Sequence, residues 1–218
     1  SVRKDGPFVA INCAAIPENM LEASLFGYEK GAFTGAYQAR SGKFEQAQNG
    51  TLLLDEISEM DLGLQAKLLR VLQEREVERL GGRELIPLNV RVLATTNRSM
   101  REEVSAGRFR EDLFYRLNVF PLHLTPLRER SADILPLANR LIRCYCPEGR
   151  CLPHLSRDAQ QALLDHPWPG NVRELDNVIQ RALILLNGDQ IEVADLCFES
   201  DPAAIAVKTT ARDTHDMA

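Results

Sequence analysis

Two adjacent carboxylates, Asp55 and Glu56, follow directly on the apolar run Thr51–Leu54. Hydrophobicity without alternation predicts a strand buried on both faces, and α/β folds bind ligands at the carboxyl ends of such strands. Asp55 at that position suits a hard cation such as Mg²⁺, which takes oxygen ligands and keeps several waters. Glu56 suits the orientation and deprotonation of an attacking water. A strand end followed by an acidic helix cap has the same appearance, because motifs this short match by chance. A second run, Val90–Asn97, ends in Thr95-Thr96-Asn97. Those polar side chains could sense a terminal phosphate, or serve only as turn formers.

Two further constellations have chemical content. Arg108, Arg110 and Arg116 cluster in GRFREDLFYRLNVF. Solvated surface arginines are the plain reading. The alternative is an arginine finger, a cation offered to the charge developing on a transferring phosphoryl group and worth roughly 10³–10⁵ in rate. In Gly31-Ala32-Phe33-Thr34-Gly35-Ala36, two glycines bracket a phenylalanine that so flexible a segment cannot bury locally. Phe33 is either a binding anchor at a loop tip or a ring tucked back into the body. Cys144, Cys146, Cys151 and His154 have zinc-ligand chemistry, but C-x-C departs from the usual C-x₂₋₄-C clasp, and zinc is set aside. His123 and His166 lie beside prolines and apolar stretches and read as packing residues, and Trp168 as the anchor of a small core.

The elements that must position these groups alternate in type. Pro7–Cys13 has strand character, and Pro17 opens a helix through Leu25. Residues 27–42 hold four glycines and read largely as loop. Leu64, Leu68 and Leu72 recur at helical spacing in Leu62–Gln73, with Gln65, Lys67 and Arg70 between them, an amphipathic pattern. Val90–Ala94 and Val119–Leu124 read as two more buried strands. Such alternation predicts a parallel sheet with helices on its faces. After about Pro126 only helical periodicity remains, over 132–143, 157–165 and 172–186, with Asn171 and Glu174 as a capping box for the last helix. The expected organisation is an α/β body over 1–126, a helical unit over 127–199, and a polar tail over 200–218.

The 218 residues are 44% hydrophobic and 26% charged, an ordinary globular balance. A net charge of −5 gives no bulk attraction to a polyanion, which speaks against direct nucleic-acid binding. No apolar run is long enough to span a bilayer, and the five cysteines, an odd number, read as reduced thiols of a cytoplasmic protein.

Taken together, GAFTGA at 31–36, AQNGTLLLDE at 47–56, FREDLFYRLNVFP at 109–121 and WPGNVREL at 168–175 resemble the central domain of bacterial enhancer-binding proteins, the AAA+ activators of sigma-54 RNA polymerase. The resemblance covers about residues 5–195, and LLLDEISEMDLGLQAKLLRVLQEREVERLGG is most similar to the flagellar response-regulator branch. It implies an AAA+ parallel-sheet body followed by an all-α lid. It also implies ATP hydrolysis in a ring, usually a hexamer, that converts a closed promoter complex of the sigma-54 holoenzyme to an open one. Asp55 and Glu56 match the Walker B carboxylates, for Mg²⁺ and for water. Asn12 matches the asparagine that holds the catalytic glutamate. Thr96 and Asn97 fall at sensor I, Arg110 and Arg116 at the arginines that reach a neighbouring subunit, and Arg173 at sensor II. Gly31 through Ala36, with Phe33 and Thr34 foremost, match the sigma-contacting loop, and Leu80-Gly81-Gly82-Arg83 match its supporting loop.

One departure stands out. Nothing in the 218 residues fits the phosphate loop G-x-x-x-x-G-K-[ST]; the one Gly-Lys pair, Gly42-Lys43, has Tyr37 and Phe44 where a glycine and a hydroxyl belong. The chain therefore reads as a fragment lacking the first strand and P-loop, with the family's missing strand expected between those at about 90–95 and 119–123. ATP turnover by the isolated chain is expected to be close to nil. DNA would be reached only through a domain outside this sequence. The alternative reading is a non-hydrolysing module that keeps the GAFTGA loop and binds the sigma factor.

Overall fold

The computed structural model describes residues 2–146, 151–186 and 188–198. The expected tail over 200–218 lies outside the described residues. The chain divides into two compact units, Ser1–Leu122 and His123–Ala218.

In the first unit the order is β1 (Phe8–Asn12), α1 (Glu18–Phe26), β2 (Gly27–Tyr28), β3 (Arg40–Ser41), α2 (Lys43–Gln46) and β4 (Thr51–Asp55). Then come α3 (Leu62–Glu74), β5 (Glu76–Glu78), β6 (Leu85–Pro87), β7 (Arg91–Ala94), α4 (Met100–Ser105) and α5 (Glu111–Leu117). Strands β1, β4 and β7 form the expected parallel sheet in that order. Its register pairs Asn12 with Asp55, and Leu54 with Ala94, so three chain segments end at one edge. Phe44, Leu25, Leu52, Leu54, Leu68 and Leu113 are fully buried around it.

Three expectations about this unit are corrected. Leu52 and Leu54 are buried but Leu53 is only half-buried, so β4 has one well-covered face rather than two. β7 is mostly exposed, Leu93 included, because the ladder ends there. Residues 119–124 form no strand at all. Val119 and Phe120 are each 81% exposed and Leu124 92%, since a strand exists only by pairing and no strand pairs beyond β7 among the described residues.

Helix α3 begins where Asp61 accepts from the N–H groups of Gly63 and Leu64 at 2.8 and 3.1 Å, satisfying donors that the first turn leaves free. Gln65 does not lie on a polar face: it is fully buried, its amide donating to the carbonyls of Met60 (2.7 Å) and Arg108 (3.0 Å) and accepting from Arg110 N–H (2.8 Å).

The second unit holds α6 (Ile134–Tyr145), β8 (His154–Leu155), α7 (Arg157–Asp165), α8 (Asn171–Leu185) and β9 (Gln190–Ile191). The short parallel pair of β8 and β9 adds to the expected helices. Trp168 sits fully buried among Leu127, Ile134, Leu163, Leu175 and Ile179, its indole N–H bonded to the Leu163 carbonyl at 2.8 Å. That bond lets a bulky polar-tipped ring serve as a core anchor. The expected capping box is replaced. Asn171 has φ 53°, and its side chain accepts from Leu127 N–H (2.8 Å), while Glu174 reaches back to Gly170 N–H (2.8 Å).

Candidate functional site

Strand register builds the site. Asp55 is the last residue of β4, with Asn12 opposite it on β1 and Thr95 directly after β7. Asn12 Nδ2 donates to Asp55 Oδ2 (3.1 Å), and the Thr95 hydroxyl donates to Oδ1 (2.5 Å). Asn12 Oδ1 in turn accepts from the N–H groups of Ala14 (2.8 Å) and Ala15 (3.0 Å), which dictates that its amide nitrogen faces the carboxylate. Asp55 is thus fixed from both sides while each oxygen keeps a lone pair free.

Glu56 stands in the left-handed region, φ 55° and ψ 47°. For a non-glycine residue that conformation costs about 1–3 kcal/mol and persists only where its surroundings enforce it. Here Ile57 N–H bonds the Thr95 carbonyl at 3.0 Å, and Glu56 N–H approaches the Thr95 hydroxyl at 3.4 Å. Beneath the edge Cys13 is buried, and burial first, then the charges of Asp55 and Glu56, push its thiol up to about 12. It remains a protonated thiol at neutral pH.

Two side chains meet partners other than those their expected roles name. Asn12 holds Asp55 in this structure, not the glutamate, because the register sets it against position 55. The hydroxyl at the carboxylate belongs to Thr95. Thr96 bonds Ser58 Oγ at 2.9 Å, and Asn97 is exposed. Aligning RVLAT (91–95) against TLLLD (51–55) in parallel register would have revealed Thr95, since it places 95 beside 55.

The arginines have partners of their own. Arg108 makes a forked pair with Glu103 (2.7 and 2.9 Å) and holds that carboxyl below its usual range. Arg110 forks onto Asp112 (3.0 and 2.7 Å), and Arg116 donates to the Leu72 carbonyl at 2.7 Å. Neither is paired with Asp55 or Glu56. Arg110 is nonetheless placed firmly, its backbone N–H held by buried Gln65.

The 31–36 loop is a closed structure. Gly31 N–H bonds the Ala36 carbonyl (2.8 Å) and Ala36 N–H the Phe33 carbonyl (3.0 Å), with φ of 85° at Gly31 and 103° at Gly35, where glycine alone is comfortable. Phe33 is 46% exposed, and its ring meets Tyr28 edge-on at 5.0 Å, so it is tucked back only in part. The base is clamped by residues 79–83. Glu29 N–H bonds the Leu80 carbonyl (2.9 Å), and a Cβ on Gly81 would lie 2.9 Å from that of Ala32. Arg79 grips both carboxylate oxygens of Glu45 (2.9 and 2.6 Å) and one of Glu29 (3.0 Å). Gly42 is a packing glycine, since a Cβ there would stand 2.4 Å from the Leu25 carbonyl.

On the second unit Arg173 is exposed at the start of α8. His166 packs between Trp168 (4.6 Å) and Phe198 (4.5 Å) as expected, whereas His123 is exposed. Among the described residues no group of three or more His, Cys, Asp or Glu side chains is placed to hold a metal ion.

Residues 1–123 match the sigma-54 interaction domain, and residues 128–212 match the AAA+ ATPase lid domain. The chain belongs to the sigma-54 interaction domain family. It is 67% identical over 198 residues to response regulator protein FleR of Pseudomonas aeruginosa, covering 90% of this chain and 42% of that protein. It is 55% identical over 193 residues to transcriptional regulatory protein FlbD of Caulobacter vibrioides, covering 88% and 42%. These matches bear out the resemblance to the flagellar response-regulator branch. A crystal structure of NtrX from Brucella abortus in complex with ADP superposes with a TM-score of 0.80 at 34% identity, over 89% of this chain and 44% of that one. The chain spans about half the length of the curated relatives it matches, 42% of FleR and 54% of the Pseudomonas putida activator SfnR, and like NtrX it has an α/β body with a helical lid.

Proposed function

We propose that the chain is the motor part of a sigma-54-dependent activator, in which ATP hydrolysis drives remodelling of the sigma-54 RNA polymerase closed complex. The observation that carries the reading is Asp55, fixed by Asn12 and Thr95 at the sheet edge, with Glu56 held next to it in a strained conformation. That geometry presents one rigid carboxylate and one side chain available to a water.

The donor set fits Mg²⁺ in the manner common for nucleotide sites, where one or two carboxylates and the phosphates share the ion with water. Asp55 would hold it, and when bound the ion neutralises charge on the phosphates. Glu56 accepts a proton from the attacking water. Thr95, Thr96 and Asn97 at the end of β7 connect the edge to Ser58 and report phosphate occupancy. Arg110 and Arg116 serve the site of an adjacent copy in a ring, usually a hexamer, and Arg173 closes the nucleotide from the lid. Phe33 and Thr34 contact the sigma factor. Support for that contact comes from the clamp of Arg79, Leu80 and Gly81, which presents the loop as a defined shape. No helix among the described residues is long and apolar enough to cross a membrane, and the proposed setting is the bacterial cytoplasm, with DNA reached through another domain.

Because the 218 residues contain no G-x-x-x-x-G-K-[ST], the isolated chain is proposed to bind sigma factor without hydrolysing ATP. In the full-length protein Glu56→Gln lowers ATP turnover about 10²–10⁴-fold while nucleotide binding survives. Steady-state turnover and nucleotide titration on that variant decide it. Undiminished turnover would remove the motor assignment.

A further inference from the structure

Apart from the nucleotide edge, the second unit has a cavity of about 360 Å³ that the motor reading leaves without a use. Its walls include Cys146, Cys151, Pro153, Leu183, Ile184 and Leu186. Two thiol-bearing residues thus share one mostly apolar chamber. Cys146 directly follows α6, and Cys151 opens the segment leading into β8. Cys146 Sγ lies 3.9 Å from the carbonyl oxygen of Cys151. A carbonyl oxygen is about 2.4 Å from its own Cα, so the Cys151 Cα is within about 6.3 Å of that sulfur. With about 2.8 Å from that sulfur to its own Cα, the two Cα atoms are at most about 9 Å apart, a bound that includes the roughly 4.4–6.8 Å a disulfide needs. Cys151 is exposed, so rotation about its Cα–Cβ bond meets little resistance. Residues 147–150 between them lie outside the described set.

We propose that Cys146 and Cys151 form a reversible dithiol–disulfide site in the lid, oxidised by hydroperoxides. The more exposed Cys151 reacts first. Its thiolate attacks the peroxide, forming an S–O bond as the O–O bond breaks and releasing an alcohol, or water from hydrogen peroxide. The Cys146 thiolate then attacks the resulting sulfenic sulfur; the S–S bond forms, the S–O bond breaks, and the hydroxide leaves as water after taking up a proton. Two thiols lose two electrons and two protons in all, and the peroxide is reduced. Cys144 is excluded as the partner because it belongs to α6 and is not part of the cavity wall. A pair of this kind in a reducing compartment is a sensor rather than a staple. The bond would tie the end of α6, where Tyr145 bonds Asp176 of α8 at 2.8 Å, to the approach of β8.

The test uses the full chain treated with hydrogen peroxide near stoichiometry, followed by alkylation and tryptic mapping. Cleavage after Arg143, Arg150 and Arg157 puts the two thiols on separate peptides, 144–150 and 151–157. The expected product is those peptides joined, with the mass of two hydrogens lost per chain. The joined pair persists in Cys144→Ser and disappears in Cys146→Ser and Cys151→Ser. Glutathione buffers reverse it, and the thermal midpoint of the oxidised chain rises by on the order of 5 °C. A link that survives in Cys146→Ser, a link between two chains, or sulfinic acid in place of any link would each overturn the proposal. So would a pair that stays reduced while a control dithiol oxidises.

Discussion

The two units close their cores differently. In the lid, a single tryptophan with its N–H satisfied is packed by residues from α6, α7 and α8. In the α/β unit, β4 is covered on its Leu52 and Leu54 face, but β7 and the following Val119, Phe120 and Leu122 leave apolar surface open to solvent. The lid gathers its buried side chains into one cluster around the Trp168 ring. The α/β unit directs its order to one end of its sheet, where hydrogen bonds rather than bulk burial hold Asp55. The hydrogen bonds that fix Asp55 thus form inside a unit whose apolar surface is not fully covered.

The strongest way to break this comparison is to empty the lid core. Trp168→Ala is expected to cost about 3–5 kcal/mol, the range for deleting a buried aromatic ring, read from denaturant unfolding followed by circular dichroism. A cost below about 1 kcal/mol would mean the lid is not closed around that ring.

Next in size is Gly81→Val. The added Cβ meets Ala32 at 2.9 Å and the backbone has φ 72°, so about 1–3 kcal/mol should be lost. The 31–36 loop should move while the sheet edge stays; amide shifts confined to the sheet edge would contradict this.

Glu45 gives a smaller, pH-dependent effect. Its hydrogen bonds from Arg79 hold the carboxyl below its ordinary value of 4.5. Stability from the pair is therefore complete above pH 4.5 and is lost as pH falls through the lowered folded-state value. Above pH 4.5 Glu45→Gln should melt below the wild type, and the difference should shrink at lower pH as the wild type loses the pair. A difference that grows on acidification would refute the pairing.

The smallest stability effect is expected at the open surface. Phe120→Ser with Leu122→Ser should change stability by less than about 0.5 kcal/mol and raise solubility, since large exposed apolar patches promote association. A large loss of stability would show that these side chains pack after all.

Much of the fold was legible because periodicity and burial agree. The helices over 62–74, 157–165 and 171–185 and the strands ending at Asn12, Asp55 and Ala94 all follow from where apolar residues recur. The carboxylate pair was legible for the same reason, as polar residues ending an apolar strand. Residues 119–124 misled, because their composition is that of a strand and composition does not supply a pairing partner. Gln65 misled in the opposite sense: a polar residue between leucines reads as surface until the backbone groups it satisfies are in place.

Sequence alone determined which groups this protein has available: two carboxylates at a strand end, a loop whose glycines permit it to close on itself, and a tryptophan for a small core. Only the tertiary structure decided their partners. Parallel register, a long-range property, put Asn12 and Thr95 rather than Thr96 against Asp55, and chain folding across 79–81 put Arg79 beneath the loop. Chemical type is carried by each residue singly. A hydrogen bond across 40 or 43 positions exists only once the sheet that aligns the two ends has formed.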